Sequence, residues 1–200
     1  MIKKPQVFWE ALMHPDLERI LFDEQTILEK VGQLGAQLSA DYYDKNPLFI
    51  CILKGAALFM ADLVKRVTVP MEMDFMAISS YGASTQSSGA VRILNDLGKP
   101  IEGRDVIIVE DIVDTGLTLA YLRDTLLRRQ AASVRIVALF DKPGGRKVEI
   151  APDYYGFTVP NEFIVGYGLD YAERYRNLPF VGVLKSDIYA TGNSDKPEQA

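Results

Sequence analysis

The run Val106-Ile107-Ile108-Val109-Glu110-Asp111-Ile112-Val113-Asp114-Thr115-Gly116-Leu117-Thr118 constrains this chain more than any other segment. Asp105 to Glu110 reads as a buried strand that ends in two adjacent carboxylates, and a short turn with hydroxyls and a glycine then opens a helix. In open α/β sheets ligands bind outside the carboxyl ends of the strands, which is where these residues fall. The Asp114 to Thr118 turn offers backbone N–H groups, two hydroxyls and the positive end of a helix to a monophosphate. Gly116 permits the close approach or positive φ that such a cradle needs. Taken alone, Glu110-Asp111 could be a solvated strand end; followed by Asp114-Thr115-Gly116 and Thr118 it reads as a site. Acids beside an anion site make sense once a sugar and a divalent cation are added, because carboxylates accept hydrogen bonds from ribose hydroxyls and a hard cation bridges sugar and pyrophosphate oxygens.

The rest of the chain alternates helical and strand periods. Ile27, Val31, Leu34 and Leu38 mark one face of a helix with Asp23 as its N-cap. Leu48 to Leu53 is an apolar run expected as a buried strand, and a helix over about 56–67 follows, with Leu58, Phe59, Leu63 and Val67 on its inner side. Met71, Met73, Phe75 and Ala77 alternate with Glu72, Asp74 and Met76, which predicts a strand with one covered face. A strand over Val91 to Leu94, a turn at Gly98-Lys99-Pro100, a helix marked by Leu119, Leu122 and Leu126, and a strand from Val134 to Phe140 complete the pattern. This order implies an α/β fold, a twisted and largely parallel sheet flanked by helices with right-handed crossovers. Beyond Asp141, prolines and glycines punctuate aromatic segments at 154–159 and 163–167. These are expected to form, with N-terminal residues, a small hood over one end of the sheet. The expected organisation is one domain over 1–190, with a core over about 20–141, a hood over about 142–184, and a frayed polar tail at 191–200.

Composition narrows the function classes. The chain has 200 residues, 48% hydrophobic and 24% charged, which excludes global disorder. A net charge of −5 argues against a broad nucleic-acid-binding face. One cysteine, Cys51, allows no internal disulfide or thiolate cluster, and one histidine, His14, argues against His-rich zinc sites and Ser-His or Cys-His nucleophile pairs. No apolar run approaches the roughly 20 residues that cross a bilayer, and no apolar segment follows the basic start, so a cytoplasmic enzyme is expected, with no membrane partner. No Walker A motif is present, and Gly166-Tyr167-Gly168 lacks the third glycine of a dinucleotide fingerprint. Tyr154, Tyr155 and Tyr167 read as packing residues, and Cys51 as an inert buried thiol.

The segment from Glu110 to Thr118 resembles the phosphoribosyl-pyrophosphate fingerprint of the type I phosphoribosyltransferases. Leu53-Lys54-Gly55 resembles that family's pyrophosphate loop, and Ser80-Tyr81 the start of its mobile lid, which would continue to Gly89. Asp141-Lys142-Pro143 and Phe163 to Tyr171, continuing through Arg176, resemble the purine-binding hood of the 6-oxopurine branch, the hypoxanthine-guanine phosphoribosyltransferases. The resemblance spans Phe49 to Leu184; Ala56 stands where many members carry glycine or serine, and Leu117 where some carry lysine.

The resemblance implies that Glu110 and Asp111 hold the ribose hydroxyls, directly or through Mg²⁺, and that Asp114 accepts the proton from N7 of the purine. It places Thr115, Gly116, Leu117 and Thr118 on the 5′-phosphate, and Lys54, Gly55, Arg146 and Arg176 on pyrophosphate, with a cis peptide before Lys54. Lys142 would donate to the exocyclic oxygen of the base, Phe163 would stack on its ring, Ile164 would offer backbone groups to its edge, and Asp170 would support a second metal site through water. The implied reaction joins hypoxanthine or guanine to 5-phosphoribosyl 1-pyrophosphate, giving IMP or GMP, in a homodimer or homotetramer. A lysine ammonium has donors and no acceptor, so it suits a 6-oxo group and not the 6-amino group of adenine. Xanthine remains an alternative base. So does a different class, a nucleotide-sensing RNA-binding regulator on the same fold, against which the acidic charge and the Lys142, Phe163 and Asp170 set both count.

Overall fold

A computed structural model describes residues 14–80 and 91–190. The stretch expected as a lid beyond Ser80, Tyr81 included, and the tail from Thr191 lie outside the described residues. Ser80 itself is the last residue of a strand.

The described residues open with β1 (Leu17–Phe22) and α1 (Glu24–Asp41), then β2 (Leu48–Leu53) and α2 (Ala57–Leu63). The strands β3 (Glu72–Ser80), β4 (Val91–Asn95) and β5 (Asp105–Val113) lead to α3 (Leu117–Arg128) and β6 (Ser133–Asp141). The last third holds β7 (Tyr154–Thr158), β8 (Ile164–Val165), β9 (Val181–Leu184) and α4 (Ser186–Ala190). Six strands form one sheet in the order β4-β3-β2-β5-β6-β7. Only β4 runs antiparallel to its neighbour; the other pairs are parallel. Asp23 caps α1 as its sequence predicts, its carboxylate accepting from the Thr26 N–H at 2.7 Å. No helix among the described residues is long and apolar enough to cross a membrane.

The sheet is covered on both faces. Ile27, Val31, Leu34 and Leu38 of α1, with Phe59 and Leu63 of α2, pack on Phe49, Cys51, Ile107 and Val109. Leu119, Leu122 and Leu126 of α3 pack on Ile50, Val106 and Ile108 on the opposite face. A second, antiparallel sheet of order β1-β9-β8 joins N-terminal and C-terminal segments; it is called the hood below. Phe22 at the end of β1 stacks on Phe157 of β7 with ring centroids 4.2 Å apart, tying the two sheets together.

Four expectations are corrected. The helix after β2 is short, ending at Leu63 before a single tight turn over Val64–Arg66, and its inward face is Ala56, Phe59, Met60 and Leu63; Leu58 points outward. In β3 the covered residue is Met76, whereas Met73 and Phe75 are 56% and 39% exposed. Register explains this: Met73 and Phe75 lie beside Phe49 and Cys51 on the face that α2 covers, but α2 reaches over β2 and β5 and not over β3. β5 does not stop at its carboxylates, because pairing with β6 continues through Ile112 and Val113. Finally, the 154–158 segment is not part of the hood; it is the edge strand β7, parallel to β6.

Candidate active site

The exits of β2, β5 and β6 lie side by side, because these three strands are adjacent and parallel. They place Lys54-Gly55, the Asp111 to Thr118 segment and the Lys142 to Arg146 segment at one end of the sheet. The Leu53–Lys54 peptide is cis.

Glu110 and Asp111 are 2% and 5% exposed. Consecutive strand residues point to opposite faces, so the two carboxylates face apart. Asp111 lies against the Gly55 loop so closely that a Cβ on Gly55 would run into its carboxylate; its Oδ1 accepts the Ile112 N–H at 2.8 Å. Glu110 lines a small hollow with Asp114, Thr115, Gly116 and Thr118, and its Oε2 is buried without a hydrogen-bond partner among the described residues. Burial pushes both carboxyl groups well above the carboxylate range, Glu110 further through the neighbouring Asp111. The Ile112 N–H and Arg176 offset part of the effect at Asp111.

The turn after β5 has the expected form. Gly116 caps α3 with φ of +78°, and a Cβ there would collide with Ile150. Thr115 is held by the Lys147 N–H, which donates to its carbonyl at 2.9 Å. On the β6 side the buried Lys142 places its Nζ 3.0 Å from Asp114 Oδ2. Gly145 approaches the same carboxylate so closely that a Cβ on it would collide with Oδ1. Arg146 does not join Lys54 and Gly55 among the described residues. Its Nη1 donates to the Val113 and Asp114 carbonyls, both at 3.0 Å, and its Nη2 pairs with Asp141. Arising two residues beyond the Pro143-Gly144 turn, it folds back onto the strand exits.

From the hood, Gly168, with φ of +100°, abuts the Gly55 carbonyl. Arg176 donates to the Gly168 carbonyl at 2.8 Å and pairs with Asp170 at 2.8 Å. This brings Lys54, Gly55, Asp111, Asp170 and Arg176 together. Asp170 thus stands on the Gly55 side. Glu110, Asp111 and Asp170 do not converge as one three-carboxylate set among the described residues: strand alternation separates the first two, and Arg176 engages the third. Phe163 stacks on Tyr189 at 5.4 Å and meets Tyr171 edge-on at 5.5 Å, while Ile164 is buried in β8 opposite Val183.

Sequence reading overlooked Glu173, whose Oε2 lies 3.1 Å from Lys54 Nζ and whose other oxygen lies 3.6 Å from Arg176. It gave no individual role to Gly168, Gly145 or Asp141, although it quoted the first and last of these within motifs. The glycines carried a signal, each forming part of a two-glycine turn; the Lys54–Glu173 pair, 119 residues apart, carried none.

Residues 19–172 match the family model of the phosphoribosyl transferase domain. The chain is 58% identical over 178 residues to a hypoxanthine-guanine phosphoribosyltransferase of Streptococcus thermophilus, covering 89% of this chain and 99% of that protein. A crystal structure of a hypoxanthine phosphoribosyltransferase from Staphylococcus aureus superposes with a TM-score of 0.85 at 48% identity, covering 88% of this chain and 96% of that one. A bifunctional TilS/HprT protein of Listeria monocytogenes is 56% identical over 178 residues, and the chain spans 28% of its length. The chain belongs to the phosphoribosyltransferase family, in its hypoxanthine-guanine branch.

The raised pKa of Glu110 has a thermodynamic sign. A carboxyl titrating higher in the folded than in the unfolded chain contributes stability at low pH that is lost as pH rises through its folded value. Glu110→Gln is therefore expected to raise the urea midpoint relative to the parent at pH 8, with the difference shrinking toward pH 4; an equal shift at both pH values would contradict the assignment.

Proposed function

We propose that this site transfers the phosphoribosyl group of 5-phosphoribosyl 1-pyrophosphate to a 6-oxopurine, hypoxanthine or guanine, releasing pyrophosphate and giving IMP or GMP. The observation that carries the reading is the meeting of three strand exits, which sets a glycine-capped helix start, a buried acid pair and the Lys142–Asp114 pair side by side. The 58% identity to a hypoxanthine-guanine phosphoribosyltransferase over nearly its whole length supports the same reading.

In this assignment the backbone and hydroxyls of Thr115, Gly116, Leu117 and Thr118 bind the 5′-phosphate at the start of α3. Glu110 and Asp111 accept hydrogen bonds from the ribose hydroxyls, which would satisfy the orphaned Glu110 Oε2. Lys54, the Gly55 backbone and Arg176 receive the departing pyrophosphate, and preorganised cations beside a leaving polyanion lower the barrier to its departure. Arg146 contributes by fixing the Val113 and Asp114 carbonyls. Asp114 accepts the proton at N7 while Lys142, 3.0 Å away, donates to the 6-oxygen. Phe163, backed by Tyr189, offers a ring for stacking, and Ile164 offers the backbone of β8 to the base edge. Ser80 and Tyr81 begin a lid that excludes water from a cation-like sugar.

The donor set also fits magnesium. This ion commonly takes one or two carboxylates and completes its shell with substrate oxygens and water, so it needs no all-protein cage. Asp111, with Glu110 behind it and Asp170 acting through water, would hold it, and the ion would neutralise charge on the pyrophosphate. The lone buried Cys51 suits a reducing compartment, in keeping with a cytoplasmic location. A second copy of the chain would cover Met73 and Phe75, giving the homodimer from which a homotetramer can be built.

Three measurements test the reading. A spectrophotometric screen of hypoxanthine, guanine, xanthine, adenine and uracil, with and without Mg²⁺, is expected to show turnover of hypoxanthine and guanine that needs the metal. Adenine turned over within about tenfold of guanine would reject the role of Lys142, because a mispaired buried polar group discriminates far more strongly than that. Asp114→Asn is expected to lower kcat by about 10²–10⁴-fold with little change in phosphoribosyl-pyrophosphate affinity; unchanged kcat would remove the proton-acceptor role. Phe75→Glu is expected to shift the sedimenting species toward monomer, and an unaltered assembly would move the interface elsewhere.

A further inference from the structure

We propose that Tyr167, acting through Asp62, is a positioning residue for the Lys54-Gly55 loop; this rests on the assignment of that loop to pyrophosphate. Tyr167 lies between two glycines, and all three residues have positive φ, +106° at Gly166, +49° at Tyr167 and +100° at Gly168. An L side chain rarely adopts such a backbone, so a tyrosine in this place must be held there by its surroundings.

Three hydrogen bonds hold it. The Tyr167 N–H donates to the Leu178 carbonyl at 2.8 Å, the Gly168 N–H to the Arg176 carbonyl at 3.0 Å, and the Tyr167 hydroxyl to Asp62 Oδ2 at 2.7 Å. The other oxygen of Asp62 is engaged by Lys65 at 2.6 Å, which fixes the orientation of the carboxylate. Burial and the Asp62 hydrogen bond both push the phenol pKa up, so the hydroxyl remains a donor.

The position of this clasp gives it its consequence. Asp62 belongs to α2, which starts two residues after Gly55. Gly168, next to Tyr167, rests on the Gly55 carbonyl, and Arg176 is anchored on the Gly168 carbonyl. The loop is therefore gripped from both sides: by α2 along the chain, and by the Gly166–Leu169 turn across space. The Tyr167–Asp62 bond sets the register between those two grips. Packing alone would need only the ring, which phenylalanine supplies equally well; the hydroxyl is what couples hood to loop.

The experiment compares the parent, Tyr167→Phe, Asp62→Ala, Asp62→Asn and the Tyr167→Phe/Asp62→Ala double variant. The probes are calorimetric binding of inorganic pyrophosphate with Mg²⁺, calorimetric binding of IMP, and steady-state kinetics. Tyr167→Phe is expected to weaken pyrophosphate binding and raise KM for phosphoribosyl pyrophosphate by about tenfold, the order expected when one hydrogen bond to a charged group is lost. IMP affinity and kcat at saturation should stay within about threefold, since Asp114 and the 5′-phosphate turn lie outside the clasp. Asp62→Ala should match Tyr167→Phe, the double variant should be no worse than either, and Asp62→Asn, whose amide oxygen still accepts, should restore most of the affinity. Parental pyrophosphate affinity in Tyr167→Phe, equal losses for pyrophosphate and IMP, or additive losses in the double variant would each overturn the proposal. A parent that binds IMP but not pyrophosphate would overturn the loop assignment itself, and the proposal with it.

Discussion

The buried acid pair near the end of β5 is the constraint around which the rest is arranged. Glu110 and Asp111 sit on a strand flanked on both sides by parallel neighbours, where every other side chain from Val106 to Val113 is apolar. Desolvation raises both carboxyl groups, and among the described residues no counter-ion stands beside Glu110. A purely structural position would select against such residues, since a buried unpaired carboxylate is among the more destabilising features a core can hold. Their presence in the centre of the sheet accords with the proposed assignment, in which they meet sugar hydroxyls and, at Asp111, a cation.

Around that pair the loops approach one another at glycines. Gly55 makes room for the Asp111 carboxylate, Gly145 for Asp114 and Gly168 for the Gly55 carbonyl. Each is a point where two segments distant in sequence touch without a Cβ between them. The site is a close-packed seam between three strand exits and the hood, which suits chemistry that requires water to be kept from the sugar. Glu173, 66% exposed, spans the seam from outside by pairing with Lys54 and Arg176.

Much of this was legible in the sequence because periodicity and chemistry agreed. The helix face at Ile27, Val31, Leu34 and Leu38, the Asp23 cap, the buried strand at 48–53 and the turn at Gly116 follow from local pattern, and the structure reproduces them. The misreadings share a cause in tertiary context. Met73 and Phe75 look like a core face until the reach of α2 is known, and β7 looks like hood until its partner β6 is known. Leu58 lies about 100° around α2 from Phe59, off the stripe of Phe59, Met60 and Leu63, and so faces outward. Within the site, the Glu110–Thr118 motif carried its own meaning because its residues are contiguous. The return of Arg146 to Asp141 and the strand-exit carbonyls shows only in the folded turn. Glu173 was missed because its partners lie elsewhere in the chain.

The contact between Lys142 and Asp114 has a further consequence for how the family can diversify. Under the proposed assignment, the group that reads the base oxygen and the group that takes up the proton share one ion pair in a buried corner. A replacement that changes which nucleobase is accepted therefore also alters the local field in which the proton moves. Divergence to new bases along this lineage is expected to proceed by paired changes at the two positions, with single replacements passing through weakly active intermediates.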